Sequence, residues 1–87
     1  MKKVHEIIKG LVKTYNIDII EVNEEENYVY FTIFIKNKNN KKVEGLQIKY
    51  PTGLIQGLVI DELLRRIEHL IDLKLLESYK FGGLKYE

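Results

Sequence analysis

The stretch YVYFTIFIK, Tyr28 to Lys36, decides the fold. β-Branched and aromatic side chains fill it, and such residues fit a pleated, packed surface. Side chains alternate along a strand. Val29, Phe31, Ile33 and Ile35 therefore share one face, and Tyr28, Tyr30, Thr32 and Phe34 share the other. Neither face is polar, which marks a central strand with both sides at least partly covered.

On either side of this strand the chain turns and returns. Upstream, NEEEN (Asn23 to Asn27) is a polar turn, preceded by a second β-branched run, IDIIEV, Ile17 to Val22. Downstream, NKNNK turns the chain into VEGLQIKY, Val43 to Tyr50. Leu46, Ile48 and Tyr50 share one face of that third strand; Gly45, Gln47 and Lys49 share the other.

The flanks are helical. Val4, Ile7, Ile8, Leu11, Val12 and Tyr15 recur at helical spacing and form one apolar stripe. Gly10 interrupts that stripe at a cost of about 1 kcal/mol against alanine, and Asn16 suits a left-handed stop. After Pro51, the residues Ile60, Leu63, Leu64, Ile67, Leu70 and Ile71 give the buried face of a long second helix. It starts between Gly53 and Asp61, with Thr52 or Asp61 as the cap. The pattern leaves open whether residues 53–60 are helical or irregular. The helix is expected to reach about Tyr79, with Gly82 and Gly83 ending it.

The order is thus α-β-β-β-α. The expected fold class is α+β, a three-stranded antiparallel meander with both helices packed on one face. Eighty-seven residues make one domain, here with a short tail at 82–87 that has room to be flexible. The glutamate turn lies at one end of the sheet and the lysine turn at the other, about 30 Å away. Lys2, Lys3 and the start of the second helix are expected near Glu24, Glu25 and Glu26, and both helix C-termini near the lysines.

The order of elements is similar to that of the double-stranded-RNA-binding domain, over most of the chain but with no shared motif. That likeness implies RNA gripped by the first helix, the first strand-to-strand loop and a lysine-rich start of the second helix. Here that loop is EEE, which repels phosphate, and the helix start TGLIQG holds no cation.

Composition narrows the function classes. There is no cysteine, which excludes disulfides and thiolate metal sites. No apolar run approaches the ~20 residues that span a bilayer, and the first residues lack the apolar centre of a secretory signal. A cytoplasmic protein with no membrane partner is expected. The chain is rich in Lys, Ile, Asn and Tyr and has no alanine, a composition associated with AT-rich genomes, including those of viruses and mobile elements. There is one serine, Ser78, and there are two histidines, His5 and His69, on different helices. His69 and Asp72, with Glu68 adjacent, supply too few ligands for a metal site. No glycine-rich loop follows a strand and opens a helix with a phosphate-binding lysine. No enzyme, cofactor or metal is expected.

Two readings of function remain. The first is a small non-enzymatic protein-binding module, a regulator or inhibitor, acting through Tyr28, Tyr30 and Phe34 on a protein partner or in a homodimer formed sheet to sheet. Aromatic side chains are good desolvated anchors. Within the chain, Leu84 or Tyr86 of the tail could cover the same face instead. The alternative is a nucleic-acid-binding module using Lys36, Lys38, Lys41 and Lys42. Lys9 or Lys13 would join them, with Arg65, Arg66 and Lys74 adding to the cluster. Against it, a hairpin tip is commonly Asn and Lys because water must solvate it, and lysines there guard against sheet aggregation.

Overall fold

The computed structural model describes residues 2–37 and 41–85, with side chains as far as Glu77. Its order is α1 (Lys2–Thr14), β1 (Ile17–Glu24), β2 (Tyr28–Lys36), β3 (Val43–Pro51), α2 (Thr52–Gly57) and α3 (Ile60–Lys85). The three strands form one open antiparallel sheet in the order β1-β2-β3. The expected α+β meander is therefore present, with the second helical region split into two helices.

The sheet buries one face. Val29, Phe31, Ile33 and Ile35 of β2 lie under the helices, joined by Ile48 and Tyr50 of β3. The helices contribute Val4, Ile7 and Leu11 from α1, Ile55 from α2, and Leu63, Ile67 and Ile71 from α3. Each of these large side chains contributes about 1.5–3 kcal/mol by leaving water. Among the described residues no polar side chain is buried, so the core incurs no unpaired-group penalty.

Strand β1 reaches this core only through a bulge. Ile17 pairs with Ile35, but Ile19 pairs with Phe34, so Asp18 is an extra residue. The bulge shifts the alternation by one. Ile17, Ile20 and Val22 then all fall on the helix side, and Ile19 is turned to the other face, 49% exposed.

Three tethers fix the helices, two to one another and one to the sheet. Lys3 on α1 donates its Nζ to the carbonyls of Gln56 (2.7 Å) and Leu58 (2.9 Å), capping the end of α2. At the start of α2, the Thr52 amide donates to Asn27 O (3.0 Å) and its hydroxyl to Glu25 O (3.2 Å). Pro51 holds the N-cap position and has no side chain that can cap. At the far end, the Tyr15 hydroxyl donates to the Asp72 carboxylate (2.5 Å), with Glu68 O 3.1 Å away. Burial, and then the Asp72 carboxylate, push the Tyr15 phenol well above its ordinary value of 10.0.

The second helical region breaks at Leu58, whose extended backbone (φ −97°, ψ 152°) ends α2. The next helix opens at Ile60, so Asp61 lies in its first turn and is not its cap. It continues through Gly82 and Gly83 to Lys85, past the expected stop. Glycine lowers helix stability by about 1 kcal/mol per residue but leaves the right-handed conformation open. Leu75 lies beside Ile35, Asn37 and Glu44 at the sheet's end. A further ten residues of α3, about 15 Å at 1.5 Å per residue, follow Leu75. The molecule is 44 Å long and about 20 Å across.

Gly10 is explained by the crossing of α1 and α3. A Cβ there would sit 2.5 Å from Leu64 Cδ2 and 2.7 Å from Leu64 Cδ1. Those atoms end a flexible side chain, so alanine displaces Leu64 without moving backbone. In the native background Gly10→Ala is expected to return clearly less than the ~1 kcal/mol of helix propensity. In a Leu64→Ala background it returns the full amount, a non-additivity measurable by urea unfolding. Equal effects in both backgrounds would show that the two residues do not meet.

The Tyr15 tether carries a pH signature. Its folded pKa is raised, so its contribution is full below pH 10.0 and is lost as pH rises from there. Tyr15→Phe should cost about 1 kcal/mol at neutral pH. It should also flatten the loss of stability above pH 10.0, followed by circular dichroism melts. An unchanged alkaline limb would remove the phenol from that role.

Candidate interaction face

The face of the sheet opposite the helices carries no other element among the described residues. Its composition follows from the register. Near the glutamate turn stand Asn23, Tyr28, Tyr30, Lys49 and Pro51. Across the middle runs a polar row, Glu21 opposite Thr32 opposite Gln47, where Gln47 Nε2 donates to Thr32 Oγ1 at 3.3 Å. Near the lysine turn stand Ile19, Phe34, Gly45, Val43 and Lys36.

Two apolar patches therefore flank a polar belt. In the first, the rings of Tyr28 and Tyr30 are tilted at 51° with centroids 6.5 Å apart. Lys49 Nζ lies 4.4 Å from the Tyr28 ring centroid, a cation–π contact of about 0.5–1 kcal/mol at an exposed site. In the second, the Phe34 ring lies across Gly45. A Cβ on Gly45 would be 2.8 Å from that ring, so only glycine lets it lie flat. Ile19 and Val43, 49% and 47% exposed, flank the ring on the neighbouring strands.

The three aromatics singled out in the sequence do share this face, but they are not one cluster. Tyr28 and Tyr30 touch; Phe34 lies about 13 Å further along β2, four strand residues away. Ile19 and Val43 complete the second patch and escaped the sequence reading. Ile19 was hidden by the bulge, and Val43 by its place at a strand end. Leu84, offered as a cover, belongs to α3, with its side chain outside those described; Tyr86 lies outside the described residues.

At the lysine end, Lys36, Lys41 and Lys42 are exposed, and Lys38 lies outside the described residues. The hairpin is closed by Asn37 N donating to Lys42 O (2.7 Å) and Lys41 N donating to Asn37 O (2.9 Å). Carboxylates share this end. Glu44 stands opposite Ile35 on the helix side. Asp72 is held by Tyr15, whose neighbour Asn16 donates its side-chain amide to Lys36 O (3.1 Å).

Two expected contributors are directed elsewhere. Arg65 and Arg66 both pair with Glu62, Arg66 Nε at 3.2 Å, in the first half of α3. Their hydrogen bonds, that of Arg65 first, hold the Glu62 carboxyl below its ordinary value. Arg66 also neighbours Tyr50, which pairs with Val29 near the glutamate end.

No group of three His, Cys, Asp or Glu able to hold a metal occurs among the described residues. Glu68 and Asp72 are instead engaged by Thr14 and Tyr15. Among the described residues no helix is long and apolar enough to cross a membrane. Comparison with protein-family profiles, with curated proteins and with solved structures finds no match to this chain.

Lys41 holds a left-handed backbone, φ 58°. That conformation costs a lysine about 1–2 kcal/mol, and glycine tolerates it freely. Lys41→Gly should therefore raise stability by about 0.5–1 kcal/mol, after glycine's larger unfolded-state entropy is counted. The readout is a higher urea midpoint at unchanged slope. A lower midpoint would mean that the lysine side chain stabilises the tip by more than its backbone costs.

Proposed function

We propose that the protein is a small non-enzymatic protein-binding module that works through the uncovered face of its sheet. The observation that carries this reading is the pair of exposed apolar patches on an otherwise complete domain. The core is closed without them, so Ile19, Tyr28, Phe34 and Val43 do not support the fold from that side. Exposed apolar area of this kind, rimmed by charge, marks interaction surfaces. A regulatory or inhibitory role fits a domain of this size, and the compositional bias accords with a viral or mobile-element source.

The nucleic-acid reading has one favourable observation, the exposure of Lys36, Lys41 and Lys42 at a single end. It is the weaker of the two. Glu44 and Asp72 share that end, and the aromatic pair sits at the opposite one, with Lys49 as its adjacent cation. A stacking platform for bases needs rings and cations together along one track.

Affinity capture from extract, with immobilised wild type beside Tyr30→Ala/Phe34→Ala, tests the proposal. The double variant should first show native circular dichroism. Proteins retained by the wild type and lost by the double variant support it; identical retention by both would sink it. Fluorescence anisotropy with single- and double-stranded DNA and RNA covers the other reading. Tight binding that weakens steeply with salt and is abolished by reversing Lys38, Lys41 and Lys42 to Glu would replace it.

A further inference from the structure

We infer that the uncovered face binds a second copy of this chain, packed face to face and antiparallel, so that each glutamate turn meets the partner's lysine turn. This rests on the proposed use of that face and names its occupant.

A symmetric pair of identical sheets packed face to face has two simple twofold arrangements. With the axis along the strands, each end of the sheet lies over the same end of its partner. Glu24, Glu25 and Glu26 then face a second set of glutamates, and Lys36, Lys41 and Lys42 face a second set of lysines. With the axis across the strands, along the row Glu21, Thr32 and Gln47, the ends are exchanged. The acidic turn of one copy then lies beside the basic turn of the other, at both ends. Like charges repel in the first arrangement and opposite charges attract in the second.

The apolar patches agree with the second arrangement. Tyr28 and Tyr30 would lie over the partner's Phe34 end of β2, joining aromatic area to aromatic area. The long Lys49 side chain would lie over the region of Gly45, where the face has least bulk. The polar belt would lie on the axis, so Thr32 and Gln47 meet their own counterparts and can exchange hydrogen bonds across it. Glu21 lies on the same axis and also meets its counterpart, a like-charge contact that the solvated edge strand leaves to be screened by water and salt.

Size sets the strength. Three strands spaced about 4.8 Å apart and eight or nine residues long present roughly 14 by 28 Å. That is about 400 Å² per copy, below the ~1,200 Å² of total area at which standard specific interfaces begin, so a weak, reversible dimer is expected rather than an obligate one.

The test is sedimentation equilibrium from low to high micromolar protein, at low and at physiological salt. Three variants are compared with the wild type: Tyr30→Ala/Phe34→Ala; Glu24→Lys with Glu25→Lys and Glu26→Lys; and Lys41→Glu with Lys42→Glu. The charge variants lie on exposed turns and leave the core untouched, so they report even if the aromatic variant unfolds. The wild type should dimerise, more weakly in high salt. Each charge variant alone should self-associate about tenfold more weakly, and an equimolar mixture of the two should recover the affinity.

A wild type that stays monomeric throughout overturns the inference. So does a dimer whose affinity is unchanged in both charge variants, because only the exchanged-end arrangement juxtaposes the two turns. Neither result touches the broader proposal if extract proteins are still captured through Tyr30 and Phe34. Loss of that capture dependence is the separate failure of the proposed function.

Discussion

The structure depends on one-sided burial of strand β2. Val29, Phe31 and Ile33 are fully buried beneath three helices, while Tyr28, Thr32 and Phe34 on the reverse side have no helix over them. A central strand with two apolar faces must cover both or leave one exposed. Here the helices all pack against one side. The core is therefore complete with half of the strand's apolar side chains, and the other half is left for the second face. Exposure of Ile19, Tyr28 and Val43 follows from that choice and not from poor packing.

Placing every helix on one side requires each to be fixed without a second layer to hold it. The tethers do this at the points where the helices end. Lys3 spans 53 and 55 positions to reach the end of α2. Thr52 binds the start of α2 to the glutamate turn, and Tyr15 binds the end of α1 to α3. Each of these groups serves backbone or carboxylate atoms that the helix ends or the turn would otherwise leave to water. Between them, Gly10 lets Leu64 approach α1 at a distance no larger residue permits without displacing it. The tethers fix position along the helix axes, and the glycine sets how closely the axes cross.

Much of this was legible in the sequence. The strands, their order and the buried faces of α1 and α3 are periodic features, and periodicity survives into the fold because burial enforces it. What was not legible came from interactions between distant residues. The bulge at Asp18 is set by pairing with β2, so IDIIEV could not show which isoleucine turns outward. The break at Leu58 directly follows Gly57, and the sequence left residues 53–60 open as helical or irregular; the lysine that caps the end of α2 lies 55 positions away and could not be read there. The glycine pair near the C-terminus is a stop signal by composition, yet either glycine can also remain helical. On the candidate face, the three aromatics were readable from alternation alone. Their division into two patches depended on Thr32, whose neighbours Glu21 and Gln47 come from other strands.

Charge separation along the sheet admits two physical uses, and the geometry distinguishes them. Within the chain, acidic and basic ends complement the helix dipoles only weakly, by a few tenths of a kcal/mol per exposed contact. Three of the cations outside the lysine turn are directed elsewhere. Lys3 goes to α2 carbonyls, and Arg65 and Arg66 go to Glu62 on their own helix. The exposed charges at both sheet ends thus have modest value inside the molecule. Between molecules they act together, because a sheet about 28 Å long places opposite turns beyond mutual screening at physiological salt. The two ends cannot neutralise one another in the monomer. In an antiparallel pair each turn faces its opposite across about 10 Å, close to the ~8 Å screening length, so part of the attraction survives there and more of it at low salt.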